Sequence, residues 1–371
     1  MGTIYDAGKV GLTMEGPHNS TRTYERLSVV TSQDFSEVYV SKKNVPANKS
    51  LSDSEYWTKM INLGVLLEQF YPLLSLLPIP TVEEDIDNWT SISGLSSSLL
   101  SICYGKGKFV AVGGNKGYYS TDGITWTAIS GLAGSLLSVC YGNNKFVAVG
   151  DNTGYYSVDG ITWYSISGLN GFLHSVCYGN GKFVAVGEDG YSYYSPNVIE
   201  WYAIDDLSDH SLYSVCYGNG KFIALSITGG SFYSLNGMDW IGINDLLVEH
   251  LRFSCYGNGK FVAIGTSKGY YSTDGIRWTA ISGLSGDLYS VCYGSDKFII
   301  VGFGAYYYST DGINWTAISG LSGDLFSVCY GDDKFVAVGD GNKYYHVSPA
   351  SKTFMLEVKS NDTYSWKEVT E

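Results

Sequence analysis

The sequence predicts an all-β protein whose main part is a seven-bladed β-propeller of four-stranded blades, and three observations lead to this prediction. A Cys-Tyr-Gly tripeptide recurs at intervals of 37 or 39 residues, starting at Cys103, Cys140, Cys177, Cys216, Cys255, Cys292 and Cys329. A tryptophan recurs in the same phase, at Trp89, Trp126, Trp163, Trp201, Trp240, Trp278 and Trp315. Each repeat also reads as several short strands joined by tight turns. A strand-built period of this length is typical of propeller blades, so seven copies predict seven blades over residues 89–350.

One repeat, residues 136–173, shows how the period is filled. Apolar and β-branched residues predict strands at Leu136–Tyr141 and Lys145–Gly150, a third strand opening at Tyr155, and a fourth over Trp163–Ile166. Asn-Gly or Asn-Asn stands between the first two strands, where a tight hairpin turn requires positive φ angles. Four strands with short turns use up the whole repeat and leave no room for a helix.

The third and fourth strands are joined by the pattern Ser-x-Asp-Gly-x-x-Trp. Its aspartate and tryptophan are Asp122 and Trp126, Asp159 and Trp163, Asp274 and Trp278, and Asp311 and Trp315, and degenerate copies stand at 195–201 and 234–240. The pattern resembles the Asp-box of sialidase-like propellers, with a spacing one residue shorter. We expect the carboxylate to accept backbone N–H bonds across the turn and the tryptophan to pack between neighbouring blades. The resemblance implies a structural role at the blade periphery, away from any binding site.

Two segments compete to close the ring. Trp89–Ile92 has the pattern of the fourth strand of a blade, but the first three strands of that blade do not precede it. The last repeat, 325–348, has three strands and needs a fourth. The simplest closure therefore places Trp89–Ile92 in the seventh blade. The rival is Trp366–Val369, which follows a second Asp-box-like segment at 360–366; if it does not close the ring, residues 354–369 form an extra hairpin within a C-terminal segment, 351–371.

Residues 1–60 predict a small β module that differs from the repeats. Strands are expected at Tyr24–Thr31 and Glu37–Ser41, followed by an Asn…Pro stretch and Trp57. This order resembles the small chitin-binding-type modules of bacteriophage tail proteins. The resemblance implies aromatic ligand contacts at Tyr24, Tyr39 and Trp57, or an adaptor role without sugar binding. Residues 61–88 are expected to form an apolar helical linker, with the helix running over Met60–Leu77 and broken at Pro72.

Composition excludes several classes of function. The net charge of −13 argues against nucleic acid and against an anionic membrane as partners, and no apolar run is long enough to insert into a bilayer. The seven cysteines occupy the same strand position, so we expect buried free thiols rather than disulfides or a metal cluster. We expect no cofactor and no metal. Met1–Val10 has neither the basic region nor the apolar core of a signal peptide, which favours synthesis in the host cytoplasm.

The sequence offers little for catalysis, and we expect a protein that is not an enzyme. Sialidase-type chemistry needs three arginines, whereas the propeller region contains Arg252 and Arg277 alone. The histidines show no metal-ligand spacing and no nucleophile motif. The acids considered for glycosidic cleavage, which requires two converging carboxylates, are Glu188, Asp189, Glu200, Asp205, Asp206, Asp209 and Glu249.

Divergence between repeats gathers in residues 188–254, whereas 272–294 and 309–331 differ at two positions. Loops that vary on a constant scaffold are typical of a binding surface, although drift in older blades gives the same pattern. The candidate ligand-binding residues of this sector are Tyr191, Tyr193, His210, His250 and Arg252.

Together these features resemble a bacteriophage tail or tail-fibre protein. The leading hypothesis is a virion component whose N-terminal region docks on other tail proteins and whose propeller binds a host-surface glycan, in a homo-oligomer such as a trimer. A purely structural role in virion assembly and a polysaccharide depolymerase are the alternatives.

Overall fold

The computed structural model describes residues 86–347 apart from 96 and 247–249, and the backbone of seven further strands outside this range. The chain divides into two compact units, Asp85–Ser348 and a unit that combines Met1–Glu84 with Pro349–Glu371. The first unit is the predicted seven-bladed propeller.

Each blade is an antiparallel four-stranded sheet whose strands follow one another in space. The strands of blades 1 to 3 are β7 (Ser101–Gly105), β8 (Lys108–Gly113), β9 (Lys116–Ser120) and β10 (Thr127–Ala128); β11 (Leu136–Gly142), β12 (Lys145–Gly150), β13 (Thr153–Ser157) and β14 (Tyr164–Ser165); and β15 (Leu173–Gly179), β16 (Lys182–Gly187), β17 (Ser192–Ser195) and β18 (Tyr202–Ala203). Those of blades 4 and 5 are β19 (Leu212–Gly218), β20 (Lys221–Ser226), β21 (Ser231–Ser234) and β22 (Ile241–Ile243); and β23 (Leu251–Gly257), β24 (Lys260–Gly265), β25 (Lys268–Ser272) and β26 (Thr279–Ile281). Those of blades 6 and 7 are β27 (Leu288–Gly294), β28 (Lys297–Gly302), β29 (Tyr307–Ser309) and β30 (Thr316–Ala317); and β31 (Leu325–Gly331), β32 (Lys334–Gly339), β33 (Lys343–Val347) and β6 (Thr90–Ser91). Short 3₁₀ turns at Asp205–Leu207 and Asn244–Leu246 precede blades 4 and 5.

The N-terminal strand closes the ring, as predicted. Thr90 and Ser91 of β6 pair with Tyr345 and Tyr344 of β33. The Trp89 indole is 8% exposed; its Nε1–H donates to the Ile86 carbonyl over 2.7 Å, and its ring centroid lies 5.4 Å from that of His346. The rival closure through Trp366 is wrong, because that residue lies in a separate hairpin of the second unit.

The repeated Cys-Tyr-Gly tripeptide packs each blade onto the next. A Cβ atom built on Gly179 would lie 2.0 Å from Cγ of Tyr217 in the following blade, and the same overlap recurs at all seven tripeptides, ending with Gly331 against Tyr104. Only glycine at this position therefore leaves room for the tyrosine ring of the neighbouring blade. Apolar clusters fill the seven interfaces between blades, each containing a fully buried phenylalanine such as Phe146 or Phe183.

Serine hydroxyls join the innermost strands around the ring. Ser138 Oγ accepts the N–H of Val176 in the next blade over 3.2 Å, and the series closes where Ser327 accepts the N–H of Ile102. Six of the seven interfaces carry such a bond, from Ser101, Ser138, Ser175, Ser214, Ser290 and Ser327. Blade 5 breaks the series, because its first strand reads Phe253-Ser254 where the others read Ser-Val or Ser-Ile.

The Asp-box turns form the predicted hairpin staples. Asp122 Oδ1 accepts the N–H of Ile124 over 2.8 Å and that of Thr125 over 2.7 Å, while Ser120 Oγ accepts the N–H of Gly123 over 2.8 Å. Trp126 packs in the cluster between blades 7 and 1. The degenerate copies keep this arrangement with an amide: Asn197 Oδ1 accepts two N–H groups over 3.0 Å.

From the hydrogen bonds of the Asp-box carboxylates we expect the propeller to lose stability in acid. Burial raises the pKa of Asp122, but the hydrogen bonds from Thr125, Ile124 and Ser120 lower it more, to about 2. Since the folded-state pKa lies below the ordinary value of 3.8, the stabilisation is complete above pH 4 and is lost as the pH falls through 2. Urea unfolding across this window should show a smaller acid-induced loss for Asp122→Asn than for the wild type. An unchanged pH dependence would show that the carboxylate is not responsible.

The propeller has two distinguishable ends. One end, the box side, carries the turns between first and second strands together with the Asp-box turns; these meet where Lys106 Nζ donates to the Val158 carbonyl of the next blade over 2.9 Å. The opposite end, the loop side, carries the connections between second and third strands and between consecutive blades. Both ends of the propeller chain leave from the box side, since β33 ends and β6 begins where the other blades have their Asp-box turn.

The second unit contains a five-stranded sheet and a hairpin. The sheet has the order β1 (Ile4–Asp6), β2 (Gly11–Pro17), β3 (Ser28–Thr31), β4 (Glu37–Ser41) and β5 (Trp57–Asn62), with β2 and β3 parallel. The hairpin pairs β34 (Thr353–Val358) with β35 (Tyr364–Val369).

Three sequence predictions fall on strands of this unit. The extra hairpin over 354–369 is confirmed, since β34 and β35 pair. The β3–β4 hairpin is confirmed over 28–41. The helix predicted over Met60–Leu77 is wrong at its start, because Ile61 and Asn62 pair with Val38 and Glu37 and extend β5. The rest of that helix, 63–77, lies outside the described residues.

Candidate functional site

A β-bulge marks one position in the innermost strand of each of blades 2 to 7. In blade 2 the register shifts between Leu136 and Ser138, so Leu137 is the extra residue of the bulge. The equivalent shifts in the other five blades make His174, Tyr213, Arg252, Tyr289 and Phe326 the bulge residues. A bulge removes a residue from the regular alternation and re-aims its side chain. The residue at the bulge can therefore differ between blades, whereas packing between blades keeps the rest of the strand sequence constant.

These bulge residues, together with the equivalent Leu100 of blade 1, form what we call the axial ring, at the loop-side end of the innermost strands. All seven side chains are half-buried. Blades 1, 2 and 7 contribute Leu100, Leu137 and Phe326, whereas blades 3 to 6 contribute His174, Tyr213, Arg252 and Tyr289. One sector of the ring is thus apolar and the other combines flat rings with hydrogen-bonding groups.

Side chains of neighbouring blades stack along the ring. The His174 and Tyr213 rings are stacked with centroids 4.0 Å apart, and the Arg252 guanidinium lies 5.3 Å from the centroid of Tyr289. Tyr289 in turn meets Phe326 edge to face at 5.5 Å. Ring stacking and cation–π contact stabilise such arrangements. Side chains of the axial ring therefore contact one another from blade 3 to blade 4 and from blade 5 to blade 7.

Glu188 bonds to the stacked His174 and Tyr213 side chains of the axial ring. Its Oε1 accepts hydrogen bonds from the Tyr213 hydroxyl over 2.7 Å and from His174 Nε2 over 2.9 Å. These two bonds, that from Tyr213 first, lower the pKa of Glu188. Burial, followed by the bond to Glu188, raises the pKa of Tyr213 to about 12. At neutral pH the group therefore consists of a carboxylate and a neutral phenol, which accept and donate hydrogen bonds respectively.

Four of the sequence-predicted ligand residues lie on the loop side. Arg252 is in the axial ring, Tyr191 is exposed in the connection between β16 and β17, and His210 lies in the connection before blade 4, with its ring centroid 4.5 Å from that of Phe232. His250 is exposed just before β23, at a φ of 69°.

The other four predicted ligand-binding residues do not lie on the loop side as exposed side chains of the described propeller. Tyr193 is buried, with 8% exposed, in the cluster between blades 2 and 3, so its ring is not open to a ligand. Tyr39 and Trp57 lie in paired strands of the second unit, where the backbone is described. Tyr24 lies outside the described residues.

Sequence reasoning missed His174, Tyr213, Tyr289 and Phe326. The signal that could have found them is the second residue of the pattern Leu-x-Ser-Val-Cys-Tyr-Gly, which changes from blade to blade while its neighbours hardly change. Comparing repeats position by position, rather than sector by sector, isolates it.

The acids considered for glycosidic cleavage do not form one group. Glu200 lies in an Asp-box turn on the box side, whereas Glu188 lies on the loop side. Asp206 Oδ2 accepts the N–H of Trp240 over 2.8 Å, and Glu188 is engaged by His174 and Tyr213. Glu249 lies outside the described residues.

The loop side is acidic. Within the described residues its connecting segments contain no lysine or arginine, and the basic residues of the adjoining strand ends are Lys116, Arg252, Lys268 and Lys343. Their carboxylates are Asp151, Glu188, Asp189, Asp205, Asp206, Asp209, Asp245, Asp287, Asp324 and Asp340. Such a field opposes the approach of polyanions, so a neutral ligand fits this end better than an acidic polymer.

The seven cysteines are free thiols, as predicted; Cys216 and Cys329 are buried, whereas the other five are half-buried. Burial raises their pKa, to about 12 for Cys216, so the thiols stay protonated at neutral pH. Among the described residues no three His, Cys, Asp or Glu side chains are placed to hold a metal ion. Within the same residues no helix has the length and apolar character needed to cross a bilayer.

Comparison with known proteins identifies the fold. No family model matches the sequence, and no curated protein matches it significantly. Among solved structures, YCF48 bound to D1 peptide matches with a TM-score of 0.59 and 18% identity over 74% of this chain and 99% of that one. Virginiamycin B lyase from Staphylococcus aureus matches with a TM-score of 0.55 and 7% identity, covering 70% and 97% of the two chains, and the WD40 propeller domain of Doa1 with 0.54 and 14%, covering 71% and 96%. A lyase, a peptide-bound protein and a WD40 domain thus share this architecture, and at such identities the likeness establishes a β-propeller and nothing more specific.

Proposed function

We propose that this propeller is a non-catalytic recognition protein that binds a neutral glycan at the axial ring. The observation that carries the proposal is the bulge position of the innermost strands. Its residue changes from Leu to His, Tyr, Arg or Phe between blades whose surrounding sequence is nearly constant. Uniform scaffolds with one varying set of accessible side chains are typical of binding sites.

The chemistry of the ring suits a sugar. Pyranose sugars present apolar C–H faces that pack on aromatic side chains. The axial ring offers three such side chains, Tyr213, Tyr289 and Phe326. Sugar hydroxyls need hydrogen-bond partners when water is displaced, and Glu188 and the Arg252 guanidinium can supply them. Arg252 makes no ion pair with another described residue, so its N–H groups are available to a ligand.

We further propose that the chain acts in a phage tail, where the N-terminal residues attach it to other virion proteins and the propeller meets the host surface. The order of aromatic residues in the N-terminal module supports this assignment. The position of the axial ring, at the end of the propeller opposite its two chain ends, is also suited to presenting a site to an external ligand.

A glycan array probed with the full chain tests the binding function, and isothermal titration then measures the affinity. Tyr213→Leu introduces the residue that blades 1 and 2 carry at this position. We expect it to weaken glycan binding about tenfold, which corresponds to roughly 1.4 kcal/mol.

The matched control is Tyr164→Thr, which removes an exposed tyrosine from the outer strand β14 and introduces the residue that β10 and β30 carry there. Its affinity should equal that of the wild type. Absence of binding to every neutral glycan on the array would refute the proposed function.

A further inference from the structure

We propose a second sugar subsite in blade 6, a pocket beside the axial ring that accommodates one hexopyranose unit of the same neutral glycan. This inference rests on the proposed function. The pocket has a volume of about 370 Å³ and is lined mainly by Ser285, Phe303, Tyr306, Tyr307, Ile318 and Leu321. Such a volume lies at the lower end of the range found for small-ligand sites.

The pocket is lined by a residue that departs from the repeat. Blades 1, 2 and 5 have a glycine near the start of the third strand, and a leucine lies against it: a Cβ on Gly269 would be 2.5 Å from Leu284. Blade 6 has Tyr306 at this place, and its third strand β29 is shortened to three residues. The Tyr306 side chain is 6% exposed, and its hydroxyl donates to the Gly323 carbonyl. The tyrosine occupies the position of the glycine and packs with Ile318 and Leu321 in one buried cluster, and the pocket lies against this cluster.

The lining combines an apolar face with hydroxyl groups. Phe303 is 59% exposed, although the equivalent residue of blade 5 is the polar Thr266. Opposite in character, the Tyr307 hydroxyl lies 3.0 Å from Ser285 Oγ and 3.3 Å from the Ser285 N–H. A sugar ring presents a C–H face for the phenyl ring and hydroxyls that can bond to the Ser285–Tyr307 pair, whereas a purely apolar ligand would cover these hydroxyls without bonding to them.

The pocket residue Phe303 pairs with the connections that lead into the axial ring. The Phe303 N–H donates to the Asp287 carbonyl over 2.8 Å, and Phe303 forms an isolated bridge with Asp324. Asp287 and Asp324 precede Tyr289 and Phe326 of the axial ring by two residues each, a separation of roughly 7 Å along a strand. This separation is short enough for one oligosaccharide to reach both sites. Since Asp287 and Asp324 are both acidic, we expect an acidic sugar to be disfavoured in the pocket.

Variants that restore the repeat test the subsite without foreign side chains. Phe303→Thr introduces the residue of blade 5, and Tyr306→Gly restores the glycine of blades 1, 2 and 5. The control is Ile241→Thr, which removes another exposed apolar side chain and introduces the threonine of β10, β26 and β30. Thermal unfolding of each full-length variant verifies that it is folded.

The probes are malto-, cello-, manno- and N-acetylchito-hexaose with the corresponding disaccharides, and titration calorimetry measures their affinities. For the series that the wild type binds, we expect Phe303→Thr to weaken hexasaccharide binding about tenfold and to leave disaccharide binding unchanged, and Ile241→Thr to change neither. Tyr213→Leu should weaken both lengths, which separates the ring from the pocket.

Three results would overturn the subsite. Equal hexasaccharide affinities of Phe303→Thr, Tyr306→Gly and wild type would show that the pocket is not used. An equal loss for both lengths on Phe303→Thr would show that it is not a separate subsite. Failure of the wild type to bind any of these saccharides or any arrayed neutral glycan would refute the proposed function itself, and the subsite with it.

Discussion

Replacing Gly179 with alanine is expected to lower the free energy of unfolding of the propeller by about 3 kcal/mol, at the upper end of the usual range for overpacking. The added methyl would stand 2.0 Å from Cγ and 2.6 Å from Cβ of Tyr217. Because Cβ is fixed to the backbone, the tyrosine cannot escape by a small change of its ring; the interface between blades 3 and 4 must separate. Urea unfolding followed by intrinsic fluorescence measures the loss.

Two further variants isolate the cause. Gly242→Ala is the matched control, since a Cβ at this strand position meets no atom within 4 Å and its φ is not in the left-handed region; it should be neutral or slightly stabilising. Adding Tyr217→Ala to Gly179→Ala should cost less than the sum of the two single changes, because it removes the overlap. Strict additivity would argue against the steric explanation.

The second large effect is expected for Trp89→Ala, which should lower the free energy of unfolding by about 3–5 kcal/mol, as for other buried tryptophans. Trp89 is the residue that anchors β6 in blade 7, where it packs among Ile318, Leu321 and Phe335. Without it the two-residue strand keeps its backbone pairs with β33 but loses most of its apolar contact. The ring would then be held closed chiefly by hydrogen bonds that water can replace.

Trp366→Ala discriminates between the two closures that the sequence allows. Trp366 lies in β35 of the second unit and should leave the propeller transition unchanged. A larger loss for Trp366→Ala than for Trp89→Ala would contradict the ring closure described here. Denaturant unfolding of both variants under the same conditions gives the comparison.

The propeller itself was predictable from sequence because its local signals agree with one another. Strand patterns, Asn-Gly turns and Asp-box staples recur in phase, so errors at one repeat are corrected by the others. The second unit has no repeats to offer such support. The pattern around Met60 could be read as an apolar helix, and it was the pairing with Val38 and Glu37 that placed its first residues in a strand.

The candidate site was predictable in part, for two physical reasons. The divergent sector 188–254 contains Arg252, but a bulge is invisible in a single strand, since Leu136-Leu137 reads as an ordinary apolar pair. Tyr193 was misjudged because it holds the same strand position as Tyr155 of blade 2: each pairs with the alanine of the second strand, Ala185 or Ala148, and packs against the cluster between blades. Which of several tyrosines faces solvent depends on register, and register is fixed by tertiary pairing.

The closure of blade 7 also determines how the propeller carries mechanical load. Its chain enters at β6 and leaves at β33, two hydrogen-bonded neighbours whose free ends point to the same side. When both ends are held, a pull on the propeller moves blade 7 as one body instead of peeling one strand from the other. The remaining six blades then receive part of the force through their packing on blade 7 and on one another.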